Sequence, residues 1–477
     1  MVAGLLSGFC KFFFLLTLVS CNQDFLDVPI EDKTGSANFF KSSEDAIQAT
    51  NQIYFNLTTW NHAAFAPIGL LNITSDDADK GSAPADASFL DELNFFTYNA
   101  SDGQIGGYWS GQFSGINLCN QVIVNVPKVS MDAALKTRLI AEARFLRAYH
   151  YFNLLKAFGG VPIFDGFPSD GNFNIPRNSK EEVYTFIQND LTYASQNLPQ
   201  SYAANEVGRA TKGAALSFLA KTYLYQSNWA KVKEVTDQVM GLGYNLFPDY
   251  YQMFRVANEN CVESIFEVQC EADVDFNYWG TQYSTIQGVR DQFGWGFGIP
   301  SSSLIAAFEA GDLRKNATIL YRGSTTPEGD VINAVGDNPY YNCKAYVPQS
   351  LQTGDWQGAH QNIRIMRYAE VLLMNAEANN ELGNMLAATT SINKLRTRAG
   401  LANAIALTQT DMRTAIRKER RVELALEWDR FLDLVRTGQA PTVLASLGFK
   451  SGKNELFPIP ETEITLSKGV LTQNPGY

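Results

Sequence analysis

Histidine and cysteine are scarce in this chain, with three and six copies among 477 residues. His62, His150 and His360 are scattered and show no HExxH or mixed Cys/His spacing, so no metal and no cofactor are expected. Cys119, Cys261, Cys270 and Cys343 form no CxxC. Cys261 and Cys270 flank VESIFEVQ, whose strand-like alternation holds its ends about 30 Å apart. They cannot bridge each other while that strand is straight, because a disulfide needs Cα atoms within about 7 Å. Basic residues are in deficit, 38 against 49 acids, and form no run. The net charge of −11 argues against nucleic acid and against attraction to anionic headgroups. No apolar run reaches the about 20 residues that a membrane-crossing helix requires. There is no GxSxG, Walker loop or catalytic Cys/His pattern. The GxGxG within FGWGFG (293–298) has no apolar strand leading into it and is followed by Pro300, which makes a phosphate cradle improbable.

What is present begins with KFFFLLTLVSC (11–21), an apolar run behind one lysine that turns polar at NQDFLD. It is too short to span a bilayer and has the pattern of an export signal. LVSC (18–21) resembles the lipobox of bacterial lipoproteins. The resemblance implies cleavage before Cys21 and a lipid on its sulfur, hence a signal peptide over 1–20, a lipidated tether over 21–40, and membrane attachment through Cys21.

Aromatic residues make up 12% of the chain and charged residues only 18%, the balance of a well-cored globular protein. No Pro/Ser-rich or charged linker divides it, so one large unit is expected over 41–477. Helical segments come in pairs: 139–158 with 179–198, 208–227 with 229–242, 364–383 with 385–400, and a fourth group over 408–438. Gly159 and Pro162 terminate the first helix of the first pair. Ala-rich helix–turn–helix units with aromatic positions predict a mostly α fold of tetratricopeptide-like repeats, over about 139–242 and 364–438. Two irregular stretches, about 60–112 and 244–360, are expected to supply long loops and short strands that form a ligand face.

Six blocks carry a resemblance to a known family: AEARFLRAYHYFNLLKAFGGVPIF, RATKGAALSFLAKTYLYQ, RYAEVLLMNAEANNELGN, INKLRTRAGL, KERRVELALEWDRFLDLVRTG and LFPIPETEITLSKGVLTQNPGY. In this order, across nearly the whole chain, they resemble the SusD/RagB family. The resemblance implies a surface-exposed, lipid-anchored protein of a Gram-negative outer membrane. Such a protein captures glycans without chemistry and caps a SusC-like TonB-dependent transporter. A RagB-like peptide binder and a glycoside hydrolase are the alternatives.

Two constellations bear on these alternatives. Glu419, Glu423 and Glu427 follow i, i+4, i+8 on a helix read over 411–436, at spacings that a glycosidase acid–base pair can occupy. Arg417, Arg420, Arg421 and Arg430 accompany them, and Arg144, Arg147 and Tyr151 share one face among Ile140, Leu154 and Phe158. Arginines among apolar neighbours require carboxylates, so these charges are expected to tie repeats together. Asp77-x-Asp79-x-Gly81 begins like a calcium loop, but its twelfth position is Ser88 where a bidentate Glu is needed.

For a sugar, with its apolar C–H face and rim of hydroxyls, the site needs flat aromatic surface and a few placed polar groups. The stacking candidates are Trp60, Trp279, Tyr283, Trp295 and Trp356, and the hydroxyl partners Asp76, Asp79, Asn277 and Arg290. In an extended segment Phe293, Trp295 and Phe297 would share one face.

Overall fold

The computed structural model describes residues 39–271, 280–352, 360–405 and 408–477. Cys21, Asn277, Trp279 and Trp356 lie outside the described residues.

The chain enters through α1 (Ser43–Asn56), which starts with a reciprocal cap. The Ser42 hydroxyl accepts from Asp45 N, and the Asp45 carboxylate accepts from Ser42 N. Short helical pieces follow, among them Trp60–Ala63 and a π-helical segment, Ile68–Ile73. Then come a strand, β1 (Ala78–Gly81), and a 23-residue helix, α2 (Gly103–Asn125). Residues 103–112 therefore do not belong to an irregular ligand face. Gly111 and, further along the same helix, Gly115 read as loop but serve close packing instead. A Cβ on Gly115 would stand 2.1 Å from Nε2 of the buried His150, and one on Gly111 2.9 Å from Asn61 Cβ. Gly115→Ala should lower stability by about 1–3 kcal/mol, the range for overpacking, read as a lower urea midpoint at constant m-value.

Six more long helices continue the array: α3 (Ala133–Phe158), α4 (Lys180–Asn197), α5 (Lys212–Tyr225), α6 (Trp229–Met240), α8 (Tyr368–Glu381) and α9 (Met385–Arg398). Each of α2 to α6 packs on the next, and α8 packs on α9, as the paired sequence segments predict. The array does not break between α6 and α8, which touch directly although the long irregular stretch separates them in sequence. At their contact the buried Asn375 amide donates to Thr236 Oγ1 (3.0 Å) and Asp237 Oδ1 (2.8 Å).

The irregular stretch contains a five-residue helix, α7 (Tyr283–Gln287), and short strands: β2 (Ser264–Val268), β3 (Phe297–Pro300), β4 (Ile319–Tyr321), β5 (Tyr340–Asn342) and β6 (Ile363–Arg367). They form three antiparallel pairs, β1–β3, β2–β6 and β4–β5. The β2–β6 pair closes the neck of the stretch where it leaves and rejoins the helices, and β1–β3 ties it to the N-terminal half.

The helix expected over 411–436 is two helices. α10 (Gln409–Glu423) ends, the backbone passes through positive φ at Leu426 (64°) and Trp428 (65°), and α11 (Arg430–Arg436) begins. Elsewhere the expected ties between repeats are present. The buried Arg147 of α3 pairs with Asp190 of α4 (2.7 Å) and with Asp165 (2.7 Å), and Arg144 lies over the Tyr193 ring (4.3 Å).

Candidate ligand-binding site

Two of the candidate tryptophans, 235 positions apart in sequence, meet on the surface. Trp60 opens the Trp60–Ala63 helix and is 48% exposed. Trp295 precedes β3, held by the hydrogen bond from its backbone N–H to Thr285 O of α7 (2.8 Å). The ring centroids lie 6.5 Å apart, tilted by 48°. Phe65 stacks on Trp295 (5.9 Å, 30°) and meets Trp60 edge-on (5.8 Å). Phe89 and Phe297 in turn buttress Phe65, at 5.5 and 5.2 Å. A buried aromatic base thus fixes a partly exposed pair, and offset or edge-on packing of this kind stabilises by about 0.5–1.5 kcal/mol per contact beyond burial.

The backbone brings the two halves together through β1–β3, where Gly81 pairs with Phe297 and Ser82 N donates to Gly296 O (2.7 Å). Gly296 has φ +77°, so the segment turns there. The expected common face of Phe293, Trp295 and Phe297 is therefore not formed. Phe293 is buried in a separate cluster with Tyr346, and Phe297 lies in the main core.

The other candidates divide. Tyr283 is buried, its ring edge-on to Trp428 (5.7 Å), because α7 packs beneath the surface; it offers no exposed platform. Asp76 is bound by Arg430 (2.7 Å) and Arg421 (2.8 Å), and the buried Asp77 by Arg421 (2.7 Å). The SDDADK loop thus turns these two carboxylates inward to the α10–α11 arginines rather than outward to a ligand. Asp79 is exposed on β1, and among the described residues its side chain makes no hydrogen bond or ion pair. Arg290 lies beside Gly296, the residue after Trp295: a Cβ on Gly296 would be 2.9 Å from the Cβ of Arg290. Its guanidinium pairs with Asp86 and donates to Ser82 Oγ (2.7 Å), forming a half-exposed polar rim. Sequence reasoning missed Phe65, Phe89 and Asp86. The only signal was that they flank the SDDADK and Trp60 segments.

Beneath Trp60, His62 and His150 are core residues. Burial pushes His62 down to about 4, so it is neutral at physiological pH; its Nε2 faces Gly111 O (3.0 Å).

A groove of about 840 Å³ runs between the C-terminal half of α1 and the region of the β2–β6 pair. Asn51, Phe55 and Thr58 form one wall, and Glu259, Cys270 and Asn362 the other, with Asn205 and Arg209 also on its lining. Phe55, also missed from sequence, is 48% exposed. The Glu259 carboxyl is pushed up to about 7 by burial, against the pull of Arg364 and its bond from Asn362 N (2.6 Å).

The stripe that resembled an acid–base pair is locked. Glu423 is fully buried and bonded to Arg314 (3.1 Å), Arg367 (3.0 Å) and Arg398 (2.6 Å). Burial raises its pKa, but those three charges prevail and hold it well below the usual carboxylate range. Glu419 joins Arg314 and Arg396, and Glu427, though off the helix, reaches Arg367 (2.7 Å) and Lys344 (2.6 Å).

An array of paired helices thus carries an irregular face with a fixed aromatic pair. Comparison with known proteins gives the family. Residues 262–477 match the model described as "SusD family", and residues 24–224 the one described as "Starch-binding associating with outer membrane". The chain belongs to the SusD family. It is 28% identical to SusD-like protein P2 of Formosa agariphila, over 97% of this chain and 98% of the relative. It is 28% identical to the starch-binding protein SusD of Bacteroides thetaiotaomicron, over 73% of this chain and 74% of that protein. A solved laminarin-binding SusD-like protein superposes with a TM-score of 0.81 at 30% identity, covering 92% of this chain and all of its own.

Proposed function

We propose that the protein captures oligosaccharides at the surface of a Gram-negative outer membrane, without chemistry, and delivers them to a SusC-like TonB-dependent transporter. The observation that carries this reading is the Trp60–Trp295 pair, whose exposed ring area suits the C–H face of a sugar; the Arg290–Asp86 ion pair, whose arginine lies beside Gly296, is the candidate for hydroxyls. The ligand class is a glucan, supported by relatives described as binding laminarin and starch and by a family model described as starch-binding. The arginine-bound state of Glu419, Glu423 and Glu427 favours binding over hydrolysis. The test is calorimetry with laminarin and starch oligosaccharides on protein lacking residues 1–21, followed by product analysis. Binding with unchanged product length is expected; shortened products would make the protein a hydrolase, and binding of peptides alone would make it a peptide carrier.

Membrane attachment in this proposal runs through a lipid on Cys21, supported by LVSC and by the family model's description as associating with the outer membrane. Cys21→Ala should move the protein from the membrane fraction to the soluble one. Retention in the membrane would place the anchor elsewhere. Pull-down from mild detergent should recover a TonB-dependent transporter with the protein.

A further inference from the structure

We infer that Asn338 is a positioning residue of the aromatic platform: from the hairpin formed by β4 and β5 it sets the orientation of Trp295 without touching the ligand. This rests on the proposal that a glycan stacks on Trp60 and Trp295, and it adds what holds the second ring in place.

The need for such a residue follows from the backbone. Trp295 stands outside the β1–β3 ladder, whose last pair is Gly81 with Phe297, and it is flanked by Gly294 and Gly296. Glycine has no side chain to restrict φ and ψ, so a ring between two glycines swings unless the neighbouring peptides are pinned. Three bonds pin them. Trp295 N donates to Thr285 O (2.8 Å), and Gly296 O accepts from Ser82 N (2.7 Å) and from Asn338 Nδ2 (2.9 Å). The first two are main-chain bonds that do not depend on a particular side chain. The third needs an amide, and among the described residues Asn338 is the only side chain that donates to Gly296 O.

Asn338 is fitted to that task. Its amide takes the space that any larger residue would fill, since a Cβ on Gly296 would lie 2.8 Å from Nδ2. The side chain is buried, so its bond to Gly296 O is shielded from water, and losing it would leave the carbonyl short of a donor. The same hairpin also reaches the other anchor of Trp295. Asn342, four positions on and likewise buried, donates to Gln287 Oε1 of α7 (2.8 Å), the helix whose Thr285 holds Trp295 N. The hairpin thus grips the backbone on both sides of Trp295, and both asparagines do so from below the surface.

The test pairs calorimetric titration of laminarihexaose with circular dichroism of the indole bands, recorded without ligand. Indole rings with centroids 6.5 Å apart couple, and the couplet, read as the difference between a protein and its Trp60→Ala counterpart, reports their mutual orientation. Asn338→Ala removes the donor, and Asn338→Asp keeps the shape but sets a carboxylate oxygen against Gly296 O. Each should weaken hexaose binding about fivefold or more and diminish the couplet. If the buried carboxylate prevents folding, Asn338→Ala, which brings no charge, carries the comparison. Ser324→Ala breaks a hydroxyl bond within the same hairpin, to Tyr321 O (2.7 Å), and should change neither signal. In a Trp295→Ala background Asn338→Ala should cost no further affinity, as action through Trp295 requires. Undiminished affinity, or an unchanged couplet, in the Asn338 variants would overturn the inference whatever their melting temperatures, and would leave the glucan reading standing. An equal loss in Ser324→Ala, or a further loss in the Trp295→Ala background, would overturn it by assigning the effect to a loosened hairpin. If wild type binds no laminarihexaose, the glucan reading falls and the couplet alone decides the inference: diminished in the Asn338 variants it stands, unchanged it falls.

Discussion

Replacing Glu423 with glutamine should cost about 3–5 kcal/mol of stability while leaving ligand affinity in the folded fraction nearly unchanged. The side chain is fully buried, and its oxygens receive Arg314, Arg367 and Arg398. An amide keeps the shape but supplies no charge and turns one acceptor into a donor that faces guanidinium groups. The neighbouring carboxylates Glu263, Glu419 and Glu427 already serve the same cations and cannot replace it. Urea unfolding should show a lower midpoint with the m-value preserved. The acid limb provides a second check. Because the folded-state pKa of Glu423 is depressed below 4.5, its stabilisation is fully present above that pH and is lost as pH falls toward the depressed value. The stability gap between wild type and variant should therefore be widest near neutrality and shrink on acidification below about pH 4.5. A variant that kept its stability but lost a hydrolytic activity would assign the residue to chemistry instead.

The largest effect on binding is expected from the tryptophan pair. Trp60→Ala should weaken glucan binding by about 2 kcal/mol or more, roughly thirtyfold, as for an aromatic anchor at the centre of a contact. Since Trp60 is half exposed, the melting temperature should hardly change. Trp295→Ala should weaken binding at least as much, but with a stability loss as well, because Phe65 then loses its stacked neighbour. Tyr283→Phe is the control: its ring is buried behind Trp428, so affinity should stay as in wild type. Full affinity in both tryptophan variants would remove the aromatic platform from this face.

How far these features were legible in the sequence depends on the range of the interactions behind them. Arg147 could be read as a tie between repeats because a guanidinium on an apolar helix face demands a carboxylate whatever the details, and Asp190 supplies it. Trp60 and Trp295 could be nominated because large rings stood in irregular segments, but their meeting depends on β1–β3 pairing, which no local pattern encodes. Tyr283 and Asp76 looked equally suitable. One is buried by the packing of α7 and the other is claimed by Arg421 and Arg430, partners about 350 positions away. The end of α10 was hidden for a different reason. Leu426 and Trp428 take positive φ where no glycine or proline announces a turn, and the positions continue the helical spacing of carboxylates. In α2 the error ran the other way, since glycines that signal loops by composition were there to admit Asn61 and His150.

The direct contact of α6 with α8, and the two-stranded neck formed by β2 and β6, mean that the chain departs from the helical array and returns to it at one place. Everything between the neck strands is an excursion whose ends are already joined. Changing its length is thermodynamically mild, about 0.6 kcal/mol per doubling for a flexible loop. In design terms the excursion, which carries Trp295 but not Trp60, is an exchangeable cassette on the helical chassis, and the same feature makes it a target for grafting. The exchange has one condition. Arg314 and Lys344 travel with the excursion yet neutralise Glu419, Glu423 and Glu427 of the scaffold. A transplanted face must therefore arrive with two cations in those positions, or Glu419, Glu423 and Glu427 of the scaffold that receives it will each be left short of one cation, with only Arg396, Arg398 and Arg367 to hold them.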